Sequence, residues 1–569
     1  MSTDDLPSNL VPLEAGLSLR FYEAVLLLNC LKEVKFEAKS VKEPEADLES
    51  DTGRSSKDSF RCFVNKLGQI CDSDLRGKTV TAFAVLQPGG IQYRFASNQR
   101  TNEELYEVKR YIVNILDILG KTPDEQLKGV FGAMLERVIA FNRRAIQQQI
   151  KNLTNEEGIN HCIKVCEEED TAEGREAARN INVLKKFAWL SEPEERGGER
   201  AGPSLEIFVS ETRELLETIS QLYNSSFEGF LRDKARADRD PNSKTPWSEL
   251  RHAFGRLQSY NIAVRTLISM RRRRRELFED FEVVPVPSSV RSGCPNVRRN
   301  LDGIIKRFPR EMNMAQACNT NLPEEQRGAV ENKIKACVKG KFRPYVHAEL
   351  VLLDSLLTEQ REGIMLRFFA EADYDRYIGC SKPTCRLCKL YIDHHPSGVE
   401  FRHGHGNVYP EWRAPDIYGE EGVNIAEATK TRHDIHVRML ETLRQTIKRW
   451  ITDNVAERKL HDSNSNATSY IGGGSSAYKA PLSSQAFPDC MDSMSTMGAV
   501  DDSDDVATAF GGLSIAGDSG QSWSPMTVSR SSQDTTPVQE DKAGFSRGFS
   551  MESFIDKKRR RPLIIEVEE

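Results

Sequence analysis

Two short runs of β-forming residues, 79–86 and 91–96, flank Gln87-Pro88-Gly89-Gly90 in a chain whose remaining periodicity is mostly helical. They read as a β-hairpin, because Pro and Gly supply the turn while the flanking residues favour extended backbone. A lone hairpin is marginal in water, so it must join strands from elsewhere in the sequence. The matching runs lie far downstream, around Tyr377-Ile378 and residues 399–402. A sheet assembled across a long helical stretch points to an α/β fold.

The intervening sequence carries helix-start signals. Thr101-Asn102-Glu103-Glu104 and Thr122-Pro123-Asp124-Glu125 both have capping-box form. The first helix is expected to stop at Gly120. The second is expected to place Leu127, Val130, Phe131, Met134, Leu135, Val138 and Ile139 on one stripe. Further helices are expected over 206–235 and 246–275. Residues 45–57 and 193–203 are poor in apolar residues and read as linkers or long surface loops. From about residue 460 the composition shifts to Ser, Gly, Asp, Thr and Pro, and the tail is expected to be disordered.

Charge limits the functional classes. The 569 residues contain 79 Lys plus Arg against 85 Asp plus Glu, a formal net charge of -6, so a uniformly basic nucleic-acid binder is excluded and any basic surface is local. The apolar stretch 24–28 is far shorter than the ~20 residues a membrane helix needs, and no secretory signal is evident at the N-terminus. No membrane association is expected. Twelve cysteines without disulfide-scaffold spacing suit an intracellular, reducing compartment, cytoplasmic or nuclear, where clustered cysteines point to metal.

Such a cluster occurs between residues 342 and 412. Val346-His347-Ala348-Glu349-Leu350 opens an apolar helical stripe, and Gly379-Cys380-Ser381-Lys382-Pro383-Thr384-Cys385-Arg386-Leu387-Cys388 follows. A His, a Glu two residues on and a later Cys-x-x-Cys match a zinc-deaminase signature. If a helix starts after Pro383, Cys385 and Cys388 lie on one face of its first turn, where the helix dipole and a metal both favour thiolates. His347 makes a third ligand, and three protein ligands leave one zinc position for water. Glu349 is then the proton carrier. Because residues i and i+2 diverge on a regular helix, His347 must sit at or before the first turn. The alternative is a closed structural zinc site completed by Cys380, His403 or His405.

With Tyr345, Tyr377-Ile378, His405-Gly406-Asn407-Val408-Tyr409 and Trp412 added, the segment resembles the fungal deaminase-like proteins of the cytidine deaminase superfamily, a group similar to bacterial toxin-type deaminases. The resemblance implies that His347, Cys385 and Cys388 ligate zinc and that Glu349 shuttles protons. It also implies a cytidine deaminase-like α/β/α core whose first strands are the hairpin, with a large helical insertion or N-terminal helical region and a disordered C-terminal tail. One departure is that many superfamily members have Pro directly before the first zinc Cys, where this chain has Thr384. The implied organisation is an N-terminal helical and charged segment (1–70), the hairpin (71–98), a mainly helical region (99–340), a zinc deaminase-like domain (341–460) and the tail (461–569). By analogy with related enzymes Asn98 is placed to reach a substrate sugar, the alternative being a turn-forming Asn.

The reaction expected is hydrolytic removal of an exocyclic amine from a nucleobase, slightly favoured in single-stranded nucleic acid. A free nucleoside deaminase and a non-catalytic, zinc-stabilised scaffold are the alternatives. Residues 251–310 hold 14 Arg plus Lys against 5 Asp plus Glu, including Arg271, Arg272, Arg273, Arg274 and Arg275. That run is either a phosphate-binding surface or a solvated helix end. Tyr345, Tyr377, Tyr391, Tyr409 and Trp412 are candidates to stack a base, against the alternative of core or pocket-wall packing. In the tail, Lys557, Lys558, Arg559, Arg560 and Arg561 form a basic run that an import receptor could read. Residues 563–569 resemble a SUMO-interacting motif that would add a strand to a partner's sheet.

Overall fold

The computed structural model describes residues 9–34, 55–74, 77–192, 202–237, 245–293, 295–340, 342–364, 367–419 and 425–453. The expected disordered tail, its basic cluster Lys557, Lys558, Arg559, Arg560 and Arg561, and the 563–569 motif lie outside these residues, as does most of 45–57 and 193–203.

Seven strands occur among the described residues: β1 (Leu10–Val11), β2 (Thr81–Leu86), β3 (Ile91–Ser97), β4 (Phe281–Val286), β5 (Tyr377–Cys380), β6 (Glu400–Phe401) and β7 (Ile417–Tyr418). β1 and β7 form a small antiparallel ladder, and the other five form a mixed sheet in the order β4-β3-β2-β5-β6. β2 and β3 are the expected hairpin, with Phe83 opposite Phe95 and their rings stacked at 5.4 Å. The hairpin finds its partner where the sequence placed one. β5 runs antiparallel to β2, with Ala82 opposite Cys380, and β6 continues the sheet parallel to β5. The parallel edge strand β4 was not anticipated; its register sets Ile91 against Phe281 and Ala96 against Val286.

Strand alternation divides the interior. Phe83, Val85, Tyr93 and Phe95 enter a core shared with the helices Ser56–Ile70, Asn102–Lys121 and Pro246–Arg273, while Ala82, Ala84, Leu86 and Ala96 face a second core. The second core contains the helices Ala15–Glu33, Ala348–Arg361, Arg386–His394 and Ile425–Thr452. Helices thus cover both faces of the sheet. The region 99–340 divides between them. Helices up to Arg273 join the first core, and the apolar residues of Leu301–Ile305, Met314–Asn321 and Glu324–Lys339 join the second.

Local chemistry accounts for several boundaries. Thr101 caps Asn102–Lys121 through a complete capping box with Glu104. Thr122 does not start the next helix. Its hydroxyl donates back to Ile118 O at 2.6 Å, so a short 3-10 turn at Asp124–Gln126 precedes the helix Val130–Phe141. Gly120 is not a stop either; it lies inside its helix, where an added Cβ would come within 2.2 Å of Phe278 O. The expected 206–235 helix is broken into Leu205–Tyr223 and Ser226–Ala237. Ser55 caps a helix whose first residues, Ser56 and Lys57, were read as linker. Among the described residues no helix is long and apolar enough to cross a membrane.

Candidate metal and active site

The segment before the Ala348–Arg361 helix is held extended from both sides. Tyr345 N–H donates to Glu411 O at 2.7 Å and Tyr345 O accepts from Arg413 N–H at 3.0 Å. Ser289 Oγ accepts from Val346 N–H at 2.8 Å and donates to Val346 O at 3.1 Å. Extended geometry continues into His347, the N-cap residue, with φ -71° and ψ 155°. Its side chain therefore leaves the backbone before helical spacing begins, and Glu349, two residues on, can face the same cavity. The first exposed amide of the helix, Ala348 N–H, is taken by Asn98 Oδ1 at 2.8 Å.

Cys385 is likewise an N-cap, with φ -71° and ψ 161°, and its sulfur accepts Cys388 N–H at 3.4 Å. The helix Arg386–His394 thus starts two residues later than Pro383 alone would place it, and both sulfurs lie at its first turn. Thr384, standing where a proline is common, donates its amide to His403 O and accepts from His405 N–H, each at 3.1 Å. A proline there could not make the first of these bonds.

His347 Nδ1 lies 3.6 Å from Cys385 Sγ and 3.5 Å from Cys388 Sγ. Tetrahedral zinc with ordinary Zn–N and Zn–S bonds separates such atoms by about 3.6 Å. These three buried residues form a group able to hold a metal ion, and among the described residues no other His, Cys, Asp or Glu joins it. The donor set fits zinc with one position left for a non-protein ligand. The His347 ring is set by packing against Tyr345 and Tyr409, with ring centroids at 5.2 and 6.3 Å.

Burial opposes ionisation of Cys385, but the Cys388 thiol and the His347 imidazole beside it prevail and hold the Cys385 thiol well below its ordinary range. Glu349 shows the reverse. Burial pushes its carboxyl up to about 7, against the lowering effect of His347 and of a hydrogen bond with Cys380. Cys380 is therefore a neighbour of the acid and not a fourth metal ligand.

Glu349, His347 and Cys385 open onto a cavity of about 320 Å³. Tyr345 and Asn98 are on its wall, as the sequence analysis expected. Asn98 has both ends of its amide engaged, since its Nδ2 also donates to Gly77 O at 2.9 Å, so it acts as a strut for the His347 helix. Trp412 corrects an expectation. It is fully buried behind the site, packed on Phe21, Tyr391 and His436, and cannot stack a substrate base. Lys382, His405, Tyr409 and Glu411 also line the cavity. Tyr409 was among the stacking candidates and His405 among the alternative metal ligands, while sequence reasoning passed over Lys382 and Glu411. For Lys382 the available signal was its position inside the quoted motif.

The arginine run divides between buried and exposed positions. Arg271 is 1 % exposed, with Nε donating to Leu119 O at 3.0 Å. Arg273 donates to Ser59 Oγ at 2.7 Å, Arg274 lies over the Tyr374 ring at 5.4 Å, and Arg275 pairs with Glu279. Among the described residues Arg272, which is half-buried, makes no such contact. Arg271 packs into the first core because it sits on a buried helix face, a placement that a charge count cannot see.

A family model described as an OTT_1508_deam-like deaminase matches residues 346–416. Those residues contain His347, Glu349, Cys385 and Cys388, and they exclude the hairpin, the helical region and the tail. No curated protein and no solved structure matches the chain.

Proposed function

We propose that this chain is a zinc-dependent hydrolytic deaminase of nucleobases built on a cytidine deaminase-like core. His347, Cys385 and Cys388 are the metal ligands and Glu349 is the proton carrier. The observation that carries the reading is the approach of His347 Nδ1 to both sulfurs at metal-site distances, with Glu349 on the same cavity. When bound, zinc supplies the Lewis acidity that makes water a nucleophile near neutral pH. Glu349 would take one proton from the attacking water to the ring nitrogen and then carry that water's second proton to the amine, which leaves as ammonia. Its burial keeps bulk water from competing for that proton. Tyr345 and Tyr409, on the cavity wall, flank a planar ring.

The test is zinc content, ammonia release and product mass for wild type and Glu349→Gln, across single-stranded DNA, single-stranded RNA, nucleosides and nucleotides. Zinc in both proteins with turnover only by wild type is the expected result. Zinc in both with no turnover of any substrate would overturn the enzymatic reading in favour of a zinc-stabilised scaffold. Absence of zinc from wild type would overturn the metal assignment.

A further inference from the structure

Lys382 is 9 % exposed and lines the cavity beside His347, Glu349 and Cys385; its backbone is hydrogen-bonded to the Cys380 thiol, but its ammonium makes no hydrogen bond or ion pair with a described residue. Lysine is rarely buried unless paired, because removing an ammonium group from water is costly. A long, flexible lysine would ordinarily extend to solvent.

The backbone explains why this one does not. Ser381 N–H donates to Thr81 O at 2.9 Å, Ser381 Oγ donates to Asp72 Oδ2 at 3.1 Å, and Ser381 O accepts from Arg402 Nη1 at 3.2 Å. On the other side Pro383 restricts residue 382 to extended backbone, and Thr384 is fixed to His403. The lysine stem thus emerges between two anchored points. Of the two acids on the wall, Glu411 is already paired with Arg291 at 2.9 Å, and Arg291 itself lies over the Tyr345 ring at 4.7 Å. His405 Nδ1 accepts Asn407 N–H at 2.9 Å, so the proton of a neutral His405 sits on Nε2. Glu349, the remaining acid on the wall, forms no ion pair with Lys382, so the ammonium faces the cavity without an ion-pair partner among the described residues.

We infer that Lys382 binds a phosphate of the substrate, so that this site takes a nucleotide, free or within a strand, in preference to a bare nucleoside. The inference rests on the nucleobase reading above and adds the substrate class. Pairing with a phosphate oxygen supplies the counter-ion that the free protein lacks, and the anchored loop around it presents the ammonium with little conformational search.

Equilibrium dialysis of the zinc-loaded protein tests it with the four common ribonucleosides, their 5′-monophosphates, and single-stranded RNA and DNA tetranucleotides. In wild type at least one nucleotide binds about tenfold or more tighter than its nucleoside. Lys382→Met and Lys382→Gln bring the pair to near equality, and Lys382→Arg keeps the preference. Zinc content and thermal melting accompany each variant, so a failed fold in one is read from the other. Tetranucleotides against monophosphates distinguish a strand from a free nucleotide as the source of the phosphate. Equal binding of nucleoside and nucleotide by wild type overturns the inference, as does no binding of any probe or a preference that survives in both neutral variants. Loss of zinc from both folded neutral variants would also overturn it, by assigning the lysine to the metal site. Nucleotide-selective binding without ammonia release removes the deaminase reading and leaves the phosphate site standing. Turnover indifferent to phosphate does the opposite.

Discussion

Gly68 sits near the end of the helix Ser56–Ile70, where that helix meets the sheet backbone. A Cβ at this position would stand 2.7 Å from both Ser381 N and Thr81 O, and 3.1 Å from Cys380 C. Ser381 N and Thr81 O are bonded to each other at 2.9 Å, so the atoms in the way belong to a fixed ladder and no side-chain rotation relieves the clash. Ordinary contact requires a separation about 0.7 Å larger or more, which means moving the helix away from the sheet. Overpacking of this kind costs about 3 kcal/mol at the upper end of its usual range, offset by about 1 kcal/mol because Ala favours a helix over Gly. Gly68→Ala should therefore destabilise by about 2 kcal/mol. Gly328 is the internal control. It lies exposed in the helix Glu324–Lys339 with nothing within 4 Å of an added Cβ, so the same substitution should stabilise by up to about 1 kcal/mol. Urea unfolding at pH 7, with the denaturant slope checked for constancy, reads both. Gly68→Ala should also release zinc at lower chelator concentration, because Ser381 leads into the loop that carries Cys385. A Gly68→Ala protein within about 0.5 kcal/mol of wild type would refute the close-approach argument.

Two further outcomes follow from particular buried groups. Arg271→Met should cost about 1 to 3 kcal/mol by leaving Leu119 O unpaired, while the folded variant keeps wild-type affinity for single-stranded nucleic acid; a selective loss of that affinity would restore the arginine run as a binding surface. His436 is driven from 6.5 down to about 4, first by burial and then by the charges of Arg432 and His433, against the raising effect of the Arg432 carbonyl that its Nδ1 contacts at 2.7 Å. A base with a depressed folded value takes up protons on unfolding between those two values, so its contribution is complete above about pH 6.5 and is lost as pH falls towards 4. The loss amounts to about 3 kcal/mol at most. His436→Asn should flatten this part of the acid limb in urea-midpoint measurements, and an unchanged slope from pH 6.5 to 4.5 would remove His436 from the account.

The parts of this protein that were legible in its sequence are those where local chemistry and long-range geometry agree. The hairpin had to be completed, and the β-rich runs at Tyr377 and residue 400 were its evident partners. His347 and Cys385 were readable because an N-cap frees a side chain from helical periodicity, which is what both motifs require. β4 was hidden because a parallel edge strand has no turn to announce it and Phe281–Val286 ends in Pro285-Val286, a sequence ill suited to a central strand. Trp412 was misplaced because proximity to a motif in sequence says nothing about which side of the ligands a ring occupies. The split of 99–340 between two cores was equally out of reach, since an amphipathic stripe specifies that a face is buried and not against which layer.

Positive charge gives the sharpest instance of that limit. Residues 251–310 carry a large basic surplus, yet Arg251 pairs with Glu228 at 3.0 Å, Arg291 with Glu411, and Arg307 with Glu23 at 3.4 Å, while Arg271 and Arg273 hold a helix end and a serine. These five are committed to contacts within the fold, so the count of basic residues overstates the charge left for a ligand. Lys382 stands in a short stretch, 376–389, with four Lys or Arg and no acid, and its ammonium is held inside the cavity without a partner among the described residues. What matters for recognising a phosphate is the field left over once internal pairing is complete, in the low-dielectric place where the ligand sits. By that measure the Lys382 ammonium, beside the metal-binding residues, is the charge on which the proposed phosphate contact turns.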